Sequence, residues 1–165
     1  MEGLAHPFGL DHLLAMVAVG VWSVNALPEN KVWQGPATFM LALVISAVLG
    51  ASGVTLPFLE HAIALSVVLF GAMLIVAAKP MPKAVGLGLI AAAASLHGLA
   101  HGAETPETGF MGYAAGFLLT TGVLHVSGVV VGVSIRRWLA ARSATILTSL
   151  GALLGFTGLY LFSQI

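Results

Sequence analysis

The chain has 165 residues, of which 59% are hydrophobic and only 7% are charged. Soluble domains carry about 25% charged residues, so this chain has too little polar surface to cover itself in water. Its 6 basic and 6 acidic residues give a formal net charge of +0, which leaves no basic stripe for binding nucleic acid. Because cysteine is absent, thiolate metal sites and disulfides are excluded. The composition therefore predicts an all-α, polytopic membrane protein.

The chain divides into segments that match the thickness of a bilayer, which takes about 20 mostly apolar residues to cross as a helix. Charged residues and Pro/Gly clusters separate six such segments, so we predict a bundle of about six transmembrane helices forming one domain over residues 1–165. The predicted spans are 7–26, 36–53, 57–78, 84–101, 110–135 and 144–162. The N-terminus lacks the basic region of a signal peptide, so we expect either a mature start or no need for a signal.

The basic residues predict the orientation of the bundle. All six lie in connections on one side of the six-span topology: Lys31, Lys79, Lys83, Arg136, Arg137 and Arg142. Loops rich in Lys and Arg stay in the cytoplasm. Both termini are therefore predicted on the external side of the membrane.

Small residues recur at one-turn spacing in the later spans. Three Gly-x-x-x-Gly pairs begin at Gly112, Gly128 and Gly151, and such pairs let membrane helices approach closely. We expect them mainly to pack helices within one chain. The alternative is a homo-oligomer that uses these faces as its interface.

The fourth span carries the clearest group of polar residues. Ionisable side chains within membrane spans are costly and mark functional sites. His97 and His101 are four residues apart and Glu104 follows three later, so the three share one helical face. This face offers two nitrogens and one carboxylate to a single ion, close to the external side.

The first span brings a second polar group to the same level. Asp11 and His12 lie near its external end. His6 precedes Pro7, which favours an extended backbone at the histidine. A non-helical His6 can then fold back over the helix end toward Asp11 and His12.

Four further residues also have ordinary structural explanations. Glu60 and His61 open the third span, where the helix dipole favours a carboxylate. Met16 lies one turn below His12 and is a typical core residue, while His125 lies deepest and can hydrogen-bond across the bundle. The other interpretation is a secondary role in metal binding or a place on the path of the ion. The residues for which we predict it are Met16, Glu60, His61 and His125.

The main polar group is typical of a site for a divalent transition metal. Its predicted ligands are His6, Asp11, His12, His97, His101 and Glu104. Imidazole and carboxylate without thiolate suit Ni²⁺, Co²⁺, Zn²⁺ or Cu²⁺, so the residue types do not name the metal. A permease is one interpretation. The alternatives are an intramembrane zinc hydrolase with an outward-facing His/Asp site, and a metal sensor or chaperone that transports nothing.

Two segments carry a resemblance to a known family. HPFGLDHLLAMVAVG at residues 6–20 and HGLAHGAE at residues 97–104 resemble the two signature motifs of the HupE/UreJ family. The chain length, the six spans and Leu124-His125 in the fifth span are also similar to that family. Two features differ: four residues separate His6 from Asp11 where the family usually has five, and Leu96 stands where an aromatic residue is common.

The resemblance implies a function and a location. Members of this family are bacterial inner-membrane permeases for nickel, some for cobalt, linked to hydrogenase and urease, and are not enzymes. It implies that the ion moves from periplasm to cytoplasm, where nickel-delivery proteins receive it, and that both termini are periplasmic. The transported ion is the only metal it implies, and no cofactor is expected.

Overall fold

The structure, a computed structural model, describes residues 9–79, 81–104 and 110–165. These residues form six α-helices joined by short connections, and no strand occurs among them. The helices are α1 (Leu10–Ala26), α2 (Gln34–Ala51), α3 (Leu59–Ile75), α4 (Lys83–Ala103), α5 (Phe110–Trp138) and α6 (Ser143–Ser163). Short 3₁₀ turns at Glu29–Lys31 and Ala140–Arg142 lie between α1 and α2 and between α5 and α6. The prediction of an all-α, six-helix fold is confirmed.

The helices α2, α4, α5 and α6 are long and apolar enough to cross a membrane. In the described part of the chain, α1 and α3 are apolar helices of 17 residues each, at the short end of the range that spans a bilayer. Each helix overlaps one predicted span. The helix α1 begins at Leu10, where Gly9 before it has an extended backbone conformation with φ −51° and ψ 135°. The predicted start of this span at Pro7 lies outside the described residues.

The helices pack most extensively as three pairs: α1 with α5, α2 with α4, and α3 with α6. Glycines permit the close approach within the first pair. A methyl group added to Gly20 of α1 would lie 2.5 Å from the carbonyl oxygen of His125 on α5. Further along, Gly132 of α5 faces Val24 of α1. Because both contacts advance in the same chain direction, α1 and α5 run parallel.

The pair of α2 and α4 is also parallel. Gly98 of α4 abuts the backbone of Leu43, and Gly102 abuts the backbone of Ala47 one turn later. Contact between backbones at this distance leaves no room for a side chain on either glycine. The end of α4 that carries His97 and His101 is therefore held firmly against α2.

The pair of α3 and α6 is antiparallel, since Gly71 abuts Gly151 while Gly158 abuts Val68. The three pairs relate the first half of the bundle, α1 to α3, to the second half, α4 to α6. If α1, α2 and α3 are made equivalent to α4, α5 and α6, the same three pairs result. Each half contains three helices, so the equivalent helices of the two halves run in opposite directions.

Several polar side chains are buried inside the bundle, while many large apolar side chains are exposed on its outer surface. The buried polar residues are Ser23, Ser46, Ser66, His97, His101, Thr120, Thr121 and His125. Side chains such as Leu119 and Phe156 are 64% and 73% exposed. This distribution suits a bilayer, in which lipid is as apolar as leucine and polar groups need partners within the protein.

An arginine joins the ends of α1 and α5. Arg136 donates from Nη1 to the carbonyl oxygen of Val24 at 3.0 Å and from Nη2 to Oε1 of Glu29 at 3.0 Å. The first bond satisfies a carbonyl in the last turn of α1, where helical partners run out. A basic residue predicted to orient the bundle therefore also ties two helices together.

The Gly-x-x-x-Gly pairs have different environments. Gly128 and Gly132 lie against α1, and Gly151 lies against α3, so these contacts are within the chain. A methyl group on Gly112 would meet nothing within 4 Å in the described structure. The homo-oligomer alternative stays a prediction.

We expect Gly20→Ala to destabilise the fold by about 1–3 kcal/mol, the usual cost of overpacking, because the new methyl would strike backbone and not a flexible side chain. Gly122→Ala is the control, since nothing lies within 4 Å of that position and alanine is the better helix former. Thermal unfolding in detergent measures both. Equal unfolding midpoints for the two variants would contradict the close packing of α1 and α5.

Candidate functional site

Three imidazole rings meet near one end of the bundle. His12 lies in the first turn of α1, and His97 and His101 lie in the last two turns of α4. The ring centroid of His12 is 4.5 Å from that of His97 and 4.3 Å from that of His101. His97 is fully buried and His101 is 3% exposed. The structure therefore brings His12 next to two histidines that follow it by 85 and 89 residues in the sequence.

A carboxylate determines how His12 presents its nitrogens. Oδ2 of Asp11 lies 3.0 Å from Nδ1 of His12, so Nδ1–H donates to the carboxylate and leaves the lone pair on Nε2. That Nε2 atom is buried and has no hydrogen-bond partner among the described residues. A carboxylate that holds one imidazole nitrogen in this way is the usual support of a metal-binding histidine.

A serine determines which nitrogen of His97 carries the lone pair. The hydroxyl of Ser66 on α3 donates to the carbonyl oxygen of Ile63 at 2.7 Å. Its single proton is thus used, so Ser66 must accept from Nε2–H of His97, 2.9 Å away. The lone pair of His97 is therefore on Nδ1, which is buried without a hydrogen-bond partner in the described part of the chain.

His101 forms the edge of the group toward α5. Its ring centroid lies 4.3 Å from that of Phe117. The two side chains line a cavity of about 220 Å³ between α2 and α5 whose other walls are mostly apolar. Outward-facing residues such as Val44 and Val48 complete its lining, so the cavity connects His101 with the surface that faces lipid.

His125 lies apart from this group, near the middle of α5. Its Nδ1–H donates to the carbonyl oxygen of Thr121 at 2.8 Å, which again leaves the lone pair on Nε2. Nε2 of His125 and Oγ1 of Thr121 are buried and have no hydrogen-bond partner in the residues described. The ring of Phe39 on α2 packs against His125, with centroids 4.8 Å apart.

The remaining predicted residues have other places. Met16 is fully buried in the apolar core below His12. Glu60 is exposed on the first turn of α3, and the ring of His61 packs against Phe58 and Phe162. Glu104 caps the C-terminus of α4 and is exposed. His6 lies outside the described residues.

The three touching rings do not form a finished coordination sphere. Among residues 9–79, 81–104 and 110–165, no three His, Asp or Glu side chains have a geometry that could hold a metal ion. The rings of His12 and His97 instead meet edge to face, at 89°. The partners of His12 and His97 hold one nitrogen of each ring, and a bound ion would require the rings to turn.

Two contributors to the site were missed in the sequence. Ser66 orients His97, and Phe39 packs against both His97 and His125, with ring centroids 6.0 Å and 4.8 Å apart. Ser66 is a lone hydroxyl in an apolar span, which is a weak signal because serine can bond to its own helix. Phe39 carries no signal at all, since a phenylalanine in a membrane helix is ordinary.

Comparisons with known proteins agree with the two motifs. The sequence profile of the HupE / UreJ protein family matches residues 1–161. The chain is 43% identical over 131 residues to Protein HupE of Rhizobium leguminosarum bv. viciae, a match that covers 78% of this chain and 68% of that protein. No solved structure is significantly similar to the chain. Since the family profile covers nearly every residue, this membrane protein belongs to the HupE/UreJ family.

Proposed function

We propose that the chain is a permease that carries Ni²⁺, or alternatively Co²⁺, across the bacterial inner membrane from the periplasm into the cytoplasm. Membership of the HupE/UreJ family supports a role related to nickel or cobalt transport in general. The observation that carries the proposal is the hydrogen bonding of two histidines. In His12 and His97, one nitrogen is held as a donor, and the other is buried without a hydrogen-bond partner among the described residues.

The proposed external site contains Asp11, His12, His97, His101, Glu104 and His6. Neutral imidazole is the form that binds divalent transition metals, and the partners of His12 and His97 hold each ring in one tautomer. Asp11 adds negative charge, which offsets part of the cost of removing water from a divalent ion. Ni²⁺, Co²⁺ and Zn²⁺ all suit this donor set, so the preference for nickel rests on the family.

The bundle topology is consistent with inward transport. The connections α1–α2, α3–α4 and α5–α6 all lie at the end opposite the imidazole group. The six basic residues lie in these connections or in the helix ends next to them. By the positive-inside rule that end is cytoplasmic, and both termini are periplasmic. An inside-negative potential of 100 mV then supplies about 4.6 kcal/mol to a divalent ion. Cytoplasmic nickel-delivery proteins would receive it.

One observation favours a second function. The cavity beside His101 opens toward lipid, as an intramembrane zinc hydrolase acting on a membrane substrate would require. Such an enzyme keeps its zinc through dialysis, because resident metals bind to nearly preformed sites. A permease releases its ion. Retention of metal by the purified protein therefore separates the two functions.

Uptake of Ni²⁺ into proteoliposomes that contain a metal-sensing dye tests the permease directly. Under an inside-negative potential, we expect saturable uptake by the wild type and a loss of roughly 10- to 100-fold in Asp11→Asn and His101→Ala. Thr157→Ala is the control, because the hydroxyl of Thr157 donates to the carbonyl oxygen of Leu153 within its own helix, α6. Absence of uptake by the wild type, with zinc retained through dialysis, supports the hydrolase.

Uptake should also depend on pH. A protonated imidazole has no lone pair for a metal, and histidine ordinarily titrates near pH 6.5. We expect uptake to fall at acidic external pH, measured with internal pH and membrane potential held constant, because protonation removes the lone pairs that bind the ion. Uptake that stays constant down to the lowest external pH at which the protein remains folded would show that histidine is not the principal ligand.

The support that Ser66 gives to His97 is testable by itself. Ser66→Ala removes the acceptor of the His97 Nε2–H bond, and we expect Ni²⁺ affinity to fall about 10-fold; Ser66→Thr should restore it. Ser23→Ala is the matched control, since that buried hydroxyl donates to the carbonyl of Val19 within its own helix. Isothermal titration with Ni²⁺ gives the affinities. If Ser66→Ala and Ser23→Ala bind equally well, Ser66 does not position His97.

A further inference from the structure

We propose that His125 and Thr121 form a second, inner metal station, which an ion occupies after it leaves the external imidazole group. This inference rests on the proposed permease function. It concerns a different place in the bundle, deeper in the membrane and contributed by α5.

The depth of the station follows from helix packing. Gly20 of α1 abuts the backbone of His125, and Gly20 is eight residues below His12. At 1.5 Å per residue, His125 lies about 12 Å deeper than His12 along the axis of α1. The two histidines therefore lie at different depths, and an ion moving inward from His12 reaches the level of His125 near the middle of the membrane.

The chemistry of the station follows from two polar atoms on neighbouring turns of α5. Nδ1–H of His125 is used by the carbonyl of Thr121, so Nε2 carries the lone pair. Nε2 and Oγ1 of Thr121 are both buried, with no hydrogen-bond partner in the part of the chain described, on side chains that are 1% and 0% exposed. A packed interior rarely leaves two such groups unsatisfied, and a nitrogen with a hydroxyl oxygen is a suitable partial ligand set for a hydrated divalent ion.

One aromatic ring, that of Phe39, contacts both the station and the external group. The fully buried ring of Phe39 lies 4.8 Å from the ring of His125 and 6.0 Å from that of His97. It also packs against Phe70 of α3 at 6.4 Å. On the proposed path the ion passes this ring, which touches both groups, and the ring moves aside as the ion goes from one station to the next.

Loss of the inner station should change the kinetics of uptake differently from loss of an external ligand. In the proteoliposome assay, we expect His125→Gln to lower the maximal rate of Ni²⁺ uptake at least tenfold with little change in KM, because the external ligands are untouched. Thr121→Val, which leaves His125 in place, should lower it by a smaller factor. Thr157→Val is the matched control and should transport as the wild type does, because the hydroxyl of Thr157 donates to the carbonyl oxygen of Leu153 within α6.

A second measurement does not depend on transport. Histidine labelled with ¹⁵N in the full chain, reconstituted in lipid nanodiscs, is titrated with diamagnetic Zn²⁺, and the His125 signals are identified by their loss in His125→Gln. We expect the Nε2 signal to move when Zn²⁺ is added, while Nδ1 remains protonated.

The outcomes distinguish the two proposals. A shifted His125 Nε2 signal without any uptake by the wild type would refute the permease and leave the inner metal station standing. Normal uptake by His125→Gln, or uptake reduced only through KM, would overturn the station even if the permease is correct. A His125 Nε2 signal that stays unmoved at saturating Zn²⁺ would overturn it as well.

Discussion

Close contact between helix backbones is the constraint on which the rest of this structure depends. In a bilayer, apolar side chains gain little by leaving lipid, so helices associate through close packing and a few polar contacts. Here Gly20 meets α5, Gly98 meets α2 and Gly71 meets α6. These contacts set both the spacing and the register of the helices. The buried histidines therefore face one another and not lipid.

The site lies where the two halves of the bundle meet. His12 and Ser66 come from the first three helices, and His97 and His101 come from the last three. Phe39 of the first half similarly faces His125 of the second. In transporters with internal repeats, substrate sites are found at the interface between repeats. Relative movement of the halves would alter the external imidazole group and the Phe39 contact together.

The hydrogen bonds of the histidines explain how polar rings are accommodated in an interior that is apolar overall. Asp11, Ser66 and the carbonyl of Thr121 each accept a proton from one ring nitrogen. A neutral ring costs less to bury than a charged one, and its other nitrogen keeps a lone pair. The structure thus has buried ligands in defined tautomers without a preformed coordination sphere, which suits an ion that is carried and released.

The sequence by itself determined the fold class, the number of helices and the family, because apolar length and two local motifs carry that information. It also identified His12, His97 and His101, since ionisable groups are rare in membrane helices. Only the tertiary structure decided which nitrogens are available, that Ser66 supports His97, and that Glu60 and His61 lie away from the rings. Those features depend on helix pairing and rotation. The pairing is set by backbone contacts at glycines, which look alike in sequence whether they face a neighbour, as Gly128 does, or open space, as Gly112 does.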